Sequence, residues 1–221
     1  MATKIHSTRQ NNMAHDVRQA WASVPVTILS DVTSGRFVVD PRIRPLRPFG
    51  LGTRMVGQAV TGWCERSDFG PMLHAIDLAG EGDIVVIDAG GSVDTAYVGE
   101  LLCATARRKK IAGLIVNGAV RDIDTIASWA DFPVYCLGTT ARGPLSKERG
   151  FVNGPIVFGG IPAKPGDIVL GDNDGIAIIP AEDAETVLPL ALERVRLEEI
   201  WAAELASGRT LLDVFSVPEA V

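Results

Sequence analysis

Glu100, Arg121 and Asp122 are the residues whose types and spacing could do chemistry together. Glu100 and Asp122 supply hard oxygen ligands suited to magnesium or manganese, held directly or through water. Arg121 offers a planar, bidentate fork to a carboxylate, or a positive charge to an oxyanion. All three lie in the segment DAGGSVDTAYVGELLCATARRKKIAGLIVNGAVRDID, from Asp88 to Asp124. A helix beginning at Gly99 leaves the N–H groups of Leu101 and Leu102 without intrahelical partners. Helped by the positive end of the helix dipole, those donors form a carboxylate site. An anion cradle, a guanidinium and two carboxylates suit a small keto acid chelated to a metal ion. The plainer reading of an Arg-Asp pair at a helix start is a cap with a surface ion pair.

The elements that must position these groups follow from hydrophobic pattern. Strand-like apolar runs alternate with helical ones, which indicates an α/β domain. Residues 15–22 read as a short helix and 26–32 as a second. Residues 53–64 (TRMVGQAVTGWC) read as a strand, 70–79 as a helix, and 83–88 (DIVVID) as a buried strand ending in the Ala89-Gly90-Gly91 turn. A helix then runs from about Gly99 to Arg108, with a basic last turn that complements its dipole. Residues 111–117 (IAGLIVN) form another buried strand, stopped by Gly118; a helix opens near Arg121, and 133–137 give one more strand. The two strand ends, Gly90-Gly91 and Asn117-Gly118, face the side of an open α/β sheet where ligands bind. Residues 153–180, rich in Gly and Pro, suggest a compact antiparallel unit. Residues 181–207 form a charged amphipathic helix with Pro189 as a kink. No linker divides the chain, so residues 1–221 are expected to be one domain with a polar tail over 1–13.

Other residues are weaker candidates. His6, His15 and His74 have no partner at ligand spacing. Lys109, Lys110 and Lys147 stand in charged clusters, not on apolar strands where desolvation would tune an amine for Schiff-base work. GGSVDT lacks the G-x-G-x-x-G spacing of a dinucleotide site, and there is no P-loop. Asp167, Asp172 and Asp174 are better as turn residues than as a calcium loop. Trp21, Trp63, Trp129 and Trp201 read as core or interface packing. Cys64, Cys103 and Cys136 are odd in number and set in apolar segments, as buried free thiols of a reducing compartment would be. A net charge of −6 over 221 residues disfavours nucleic-acid binding. No apolar run reaches the ~18 residues needed to span a bilayer, and the polar start lacks a secretory signal core. The cytoplasm is therefore the expected location, with no membrane partner.

Glu100 is followed by twenty residues and then Arg121-Asp122, amid GELL, GLIVNGAVRD and PGDIVLGDNDGIAIIP. In these features the chain resembles the RraA-like family over roughly residues 24–208. That family includes the 4-hydroxy-4-methyl-2-oxoglutarate / 4-carboxy-4-hydroxy-2-oxoadipate aldolases and the regulators of ribonuclease activity A. The resemblance implies a layered, swivelling β/β/α-like fold with a central mixed sheet, assembled as a homotrimer or homohexamer. It also implies that Asp122 binds the divalent ion, Arg121 contacts pyruvate, and the Leu101 and Leu102 amides hold its carboxylate beside Gly99. Glu100 would order metal-bound water, and an acid from a neighbour's C-terminal helix, Glu199 or Glu198, would complete the site. Position 100 is Glu where the aldolase motif usually has Asp. An acid expected three places after Asp122 in the regulator-like variant is Thr125 here, with Asp124 one place early. The implied activity is metal-dependent cleavage of 4-hydroxy-2-oxo dicarboxylic acids to pyruvate, with oxaloacetate decarboxylation. The outer pocket is expected from loops 36–49 and 139–152. The competing class is a non-catalytic ribonuclease regulator acting by protein binding; a bare anion-binding scaffold is a third.

Overall fold

Two apolar runs, residues 84–87 and 114–116, form the centre of the fold, and each is buried on both faces. Val85, Ile87, Leu114 and Val116 pack into one core layer, while Ile84, Val86 and Ile115 pack into the opposite one. Side chains alternate across a strand, so a continuous run of Val, Ile and Leu requires cover on both sides. Each such side chain contributes about 1.5–3 kcal/mol by leaving water.

The computed structural model describes residues 2–6, 13–48, 50, 54–218 and 220. Its strands are β1 (Lys4–Ile5), β2 (Arg44–Pro45), β3 (Met55–Cys64), β4 (Asp83–Val98), β5 (Gly113–Val120) and β6 (Val134–Thr139), followed by β7 (Gly150–Val152), β8 (Ile156–Phe158), β9 (Ile161–Ala163), β10 (Ile168–Gly171) and β11 (Ile176–Ile179). The helices are α1 (His15–Ala22), α2 (Val26–Thr33), α3 (Gly70–Leu78), α4 (Glu100–Arg108), α5 (Ile123–Ser128), α6 (Ala184–Ala206) and α7 (Leu211–Val214).

The central sheet is mixed, with strand order β1-β7-β3-β4-β5-β6-β2 and the β10-β11 pair attached to β3. β3 through β6 run parallel, while β7, β10 and β2 join them antiparallel. Helices α3, α4 and α5 cover one face through Met72, Cys103, Ala106 and Ile126. The β8-β9 hairpin covers the other with Ile156, Phe158 and Ala163. A third core joins α1, α2 and α6 to β10 and β11 around Trp21, Leu29, Leu170 and Ala191. The fold is thus the layered α/β class expected, with a β layer, a mixed sheet and a helix layer.

Several boundaries differ from the sequence reading. Ala89-Gly90-Gly91 does not end β4. Gly90 and Gly91 take positive φ (64° and 73°) and bulge the strand, which re-pairs with β5 at Ser92, Ala96 and Val98. Gly118 does not stop β5 either. A Cβ there would sit 2.9 Å from Ala89 Cβ and 3.1 Å from Tyr97 Cδ2, so this glycine serves close packing within the strand. Residues 168–179 are antiparallel as expected, yet β10 pairs with β3 and so belongs to the main sheet. Pro189 lies inside α6 without ending it. Thr53, read as the first residue of a strand, lies outside the described residues, as do residues 1 and 7–12 of the polar tail.

Candidate active site

The site begins with one register pair. Val98 and Val120 are the last residues of β4 and β5, and they stand opposite each other. Helix α4 follows the first and α5 the second, so Gly99-Glu100 and Arg121-Asp122 emerge side by side although twenty residues separate them. Arg121 N–H donates to Val98 C=O at 3.1 Å and ties the two strand ends together.

Asp122 precedes α5 in the left-handed conformation, φ 60° and ψ 36°. Asp and Asn tolerate this region better than other residues with a side chain. Its Oδ2 accepts the Glu100 N–H at 3.0 Å and lies 3.7 Å from Arg121 Nε. A carboxylate from one helix start thereby caps the N-terminus of another, where the dipole favours negative charge. Gly99 makes room for it: a Cβ there would overlap Asp122 Oδ2 and approach Arg121 Cγ at 3.0 Å. Gly143 does the same for the guanidinium, since its Cβ would lie 2.8 Å from Arg121 Nη1.

The α4 start presents further donors. Among the described residues no acceptor meets the N–H of Leu101 or Leu102, and the Leu101 side chain is 81% exposed. The Glu100 carboxylate has no ion-pair partner among the described residues. Beneath the site, burial pushes the Cys103 thiol up to about 12, and the nearby Asp122 charge adds to the shift. Cys103 is packing, not chemistry.

Around these groups lies a cavity with two lobes that share Glu100, Arg121 and Asp122. The inner lobe, about 360 Å³, is walled by Phe69, Tyr97, Val98, Leu102 and Pro144. The outer lobe, about 670 Å³, is lined by Asp124, Thr125, Thr139, Thr140 and Ala141.

Gly99, Glu100, Leu101, Leu102, Arg121 and Asp122 therefore meet at one cavity. Glu199 does not join them within the chain: α6 packs on α2 and the β10-β11 side, and none of its residues lines either lobe. On α6, Glu198 accepts from Arg194 Nε at 3.1 Å, while Glu199 is exposed and has no ion pair among the described residues. Trp201, read as core or interface packing, is partly covered by Phe215 and by the Arg194 guanidinium at 4.7 Å. Loop 139–152 lines the cavity as expected, through Thr139, Thr140, Ala141 and Pro144. Loop 36–49 contributes no described residue, because Phe37, Val39 and Ile43 are drawn into the cores; Phe49 lies outside the described residues. Phe69 carried no sequence signal, being brought to the cavity by tertiary contact alone.

The Asp122 carboxylate is the group that could hold a divalent ion. Among the described residues no three His, Cys, Asp or Glu side chains form a cage. The donor set thus fits an ion that keeps most of its water and takes one carboxylate, the manner of Mg²⁺.

The Aldolase/RraA model of the RraA-like family matches residues 26–178. The chain belongs to the RraA-like family. Among RraA-like relatives, a protein of Halalkalibacterium halodurans provisionally named 4-hydroxy-4-methyl-2-oxoglutarate aldolase is 36% identical over 172 residues, covering 78% of this chain and 80% of that one. A solved structure from Pseudomonas syringae pv. tomato superposes with TM-score 0.79 at 26% identity, over 93% of this chain and 99% of the other. RraAS2 of Streptomyces coelicolor, described as an unusual member of the RNase ES inhibitor RraA family, shares the RraA-like fold at TM-score 0.75 and 23% identity, over 87% of this chain and 98% of that one.

Proposed function

We propose that this protein is a divalent-metal-dependent pyruvate aldolase, a carbon–carbon lyase that cleaves 4-hydroxy-2-oxo acids and decarboxylates oxaloacetate through the same enolate. The observation that carries the reading is Asp122, capped onto the Glu100 N–H beside Arg121 and two open helix-start amides at one cavity. The name of the Halalkalibacterium relative points to the same reaction class and to dicarboxylic substrates.

Each residue has a task in that reaction. The Leu101 and Leu102 N–H groups bind the substrate carboxylate, with α4's dipole behind them. A Mg²⁺ or Mn²⁺ ion held by Asp122 would supply Lewis acidity to the 2-oxo carbonyl. Arg121 stabilises negative charge as the C3–C4 bond breaks and its electron pair moves onto the pyruvate enolate oxygen. Glu100 draws the proton from the 4-hydroxyl through an intervening water, so that C4 leaves as a carbonyl. In a homotrimer or homohexamer, Glu199 of an adjoining copy is the acid available to assist, since Glu198 is occupied by Arg194. Phe69, Tyr97 and Pro144 limit water around the enolate until C3 is protonated.

The test is pyruvate release from 4-hydroxy-4-methyl-2-oxoglutarate and oxaloacetate, with added Mg²⁺ or Mn²⁺ and with chelator. Wild type should require the ion, and Asp122→Asn should be nearly inactive at micromolar metal. Full activity in chelator would refute the metal-dependent reading.

A further inference from the structure

Resting on the aldolase reading, we infer that Asp68 is a positioning residue. It lines neither lobe of the cavity, and through the segment 143–149 it holds Arg121 aimed at the developing enolate.

The Asp68 side chain is fully buried, and its two oxygens serve different parts of the chain. Oδ1 accepts the Gly70 N–H at 2.8 Å, at the start of α3. Oδ2 accepts the Glu148 N–H at 3.0 Å, eighty residues further on, with Arg149 Nε 3.7 Å away. A cap for α3 alone would need only the first of these. Burial by itself would raise the Asp68 carboxyl, but donors from Ser146, Gly70, Glu148 and Arg149 outweigh it and hold the group below the ordinary carboxylate value. A buried charge without such donors is strongly disfavoured, so the carboxylate and the segment order each other.

The flanking backbone completes the clamp. Phe69 N–H donates to Ser146 C=O at 3.0 Å, and Leu145 N–H donates to Ser67 C=O at 2.9 Å. Ser67 takes φ 61°, a left-handed conformation that serine keeps only where its surroundings impose it. Its N–H donates to Tyr97 Oη at 3.3 Å. Phe69, Tyr97 and Pro144, three walls of the inner lobe, are thereby joined to one turn.

From this turn the path to Arg121 is short. Gly143 precedes Pro144, and a Cβ on it would lie 2.8 Å from Arg121 Nη1, so the segment is a surface against which the guanidinium rests. Arg142 C=O accepts the Ala96 N–H at 2.9 Å and fixes the segment to β4 at its other end. Releasing 146–149 from Asp68 would let Gly143 shift and leave Arg121 without that support. The divalent ion assigned to Asp122 takes no part in the clamp, since neither Asp122 nor Glu100 is among the groups that meet Asp68 among the described residues.

Asp68→Asn is the direct test. Asparagine keeps the shape but has one accepting oxygen, so its amide nitrogen would point a donor at the Gly70 or the Glu148 N–H. Oxaloacetate decarboxylation with Mg²⁺ should show kcat lower by about tenfold or more and KM within about threefold, because the helix-start amides and the ion still hold the substrate. In an Arg121→Ala background the same substitution should change kcat by less than about twofold, since nothing is left to position. Mn²⁺ affinity, measured by calorimetry without substrate, should stay within about twofold of wild type. Additive losses in the double variant would overturn the inference, as would Mn²⁺ binding that weakens in parallel with kcat. If Asp68→Asn does not fold, Gly143→Ala carries the test: it spares the clamp and displaces Arg121 Nη1, so kcat should fall in wild type and not in the Arg121→Ala background. An unchanged kcat in Gly143→Ala would overturn the inference. Wild type that releases pyruvate while the variants fail these tests refutes the inference alone; wild type that releases none refutes the aldolase reading and the inference with it.

Discussion

Replacing Gly99 by alanine should disable the site while leaving the protein folded. Gly99 lies at φ −145° and ψ −167°, extended backbone open to alanine, so the substitution imposes no backbone strain. What it adds is a methyl group where the Asp122 carboxylate sits, 3.0 Å from Arg121 Cγ and 3.1 Å from Nε. Asp122 must swing off the Glu100 N–H. A hydrogen bond to a charged group contributes about 1.5–3 kcal/mol. Both partners are solvent-accessible here, and water replaces part of the bond. The net destabilisation should be about 1–2 kcal/mol, a fall in Tm of about 2–8 °C for a chain of this size. The catalytic loss should be far larger, because a displacement of ~1 Å in a reacting constellation costs on the order of 100-fold. The assay pairs a thermal melt with steady-state pyruvate release. A Gly99→Ala variant within about threefold of wild-type kcat/KM would refute the reasoning. So would a loss of folding stability above ~4 kcal/mol, which would make Gly99 a structural residue first.

Three further outcomes are expected. Arg121→Ala should lower kcat as well as raise KM, by about 2–4 kcal/mol in total, with Arg121→Lys recovering only part because an ammonium lacks the planar fork; steady-state kinetics with oxaloacetate would show an unchanged kcat if this is wrong. Mixing Asp122→Asn subunits with Glu199→Gln subunits should restore part of the activity lost in each, and no recovery after subunit exchange confirmed by mass spectrometry would place the whole site within one chain. No thiol should react with a disulfide reagent at pH 8 in the native state, since burial raises all three, Cys136 to about 11 and Cys103 to about 12; rapid labelling before unfolding would contradict this.

Much of this architecture was legible because local pattern and tertiary environment agree. The helix read over 15–22 matches α1, and DIVVID and the GLIVN part of IAGLIVN are strands covered on both faces. That Gly99, Glu100, Leu101, Leu102, Arg121 and Asp122 stand at the starts of α4 and α5 was legible because helix-start patterns depend on neighbours in sequence. What escaped was non-local. Strands β1, β2 and β7 are two or three residues long and exist only through distant partners, as Lys4 with Phe151 or Arg44 with Cys136. Phe69 reaches the cavity only through packing. Gly90-Gly91 misled for a sharper reason: positive-φ glycines serve turns and bulges alike, and composition does not distinguish them.

That bulged stretch of β4 has a consequence for how the chain tolerates change. From Asp88 to Val98 the strand advances ten residues, while β5 advances three, from Asn117 to Val120. The surplus is taken up in excursions between the contacts at Ser92, Ala96 and Val98, and pairing is re-established after each. Insertions or deletions within an excursion would alter its length and spare the next contact. The last contact, Val98 to Val120, is the one that sets Gly99 against Arg121. Gly90 to Asp94 line a separate hollow of about 500 Å³ on the surface. Evolution can therefore lengthen or trim that hollow while Gly99 and Arg121 keep their alignment.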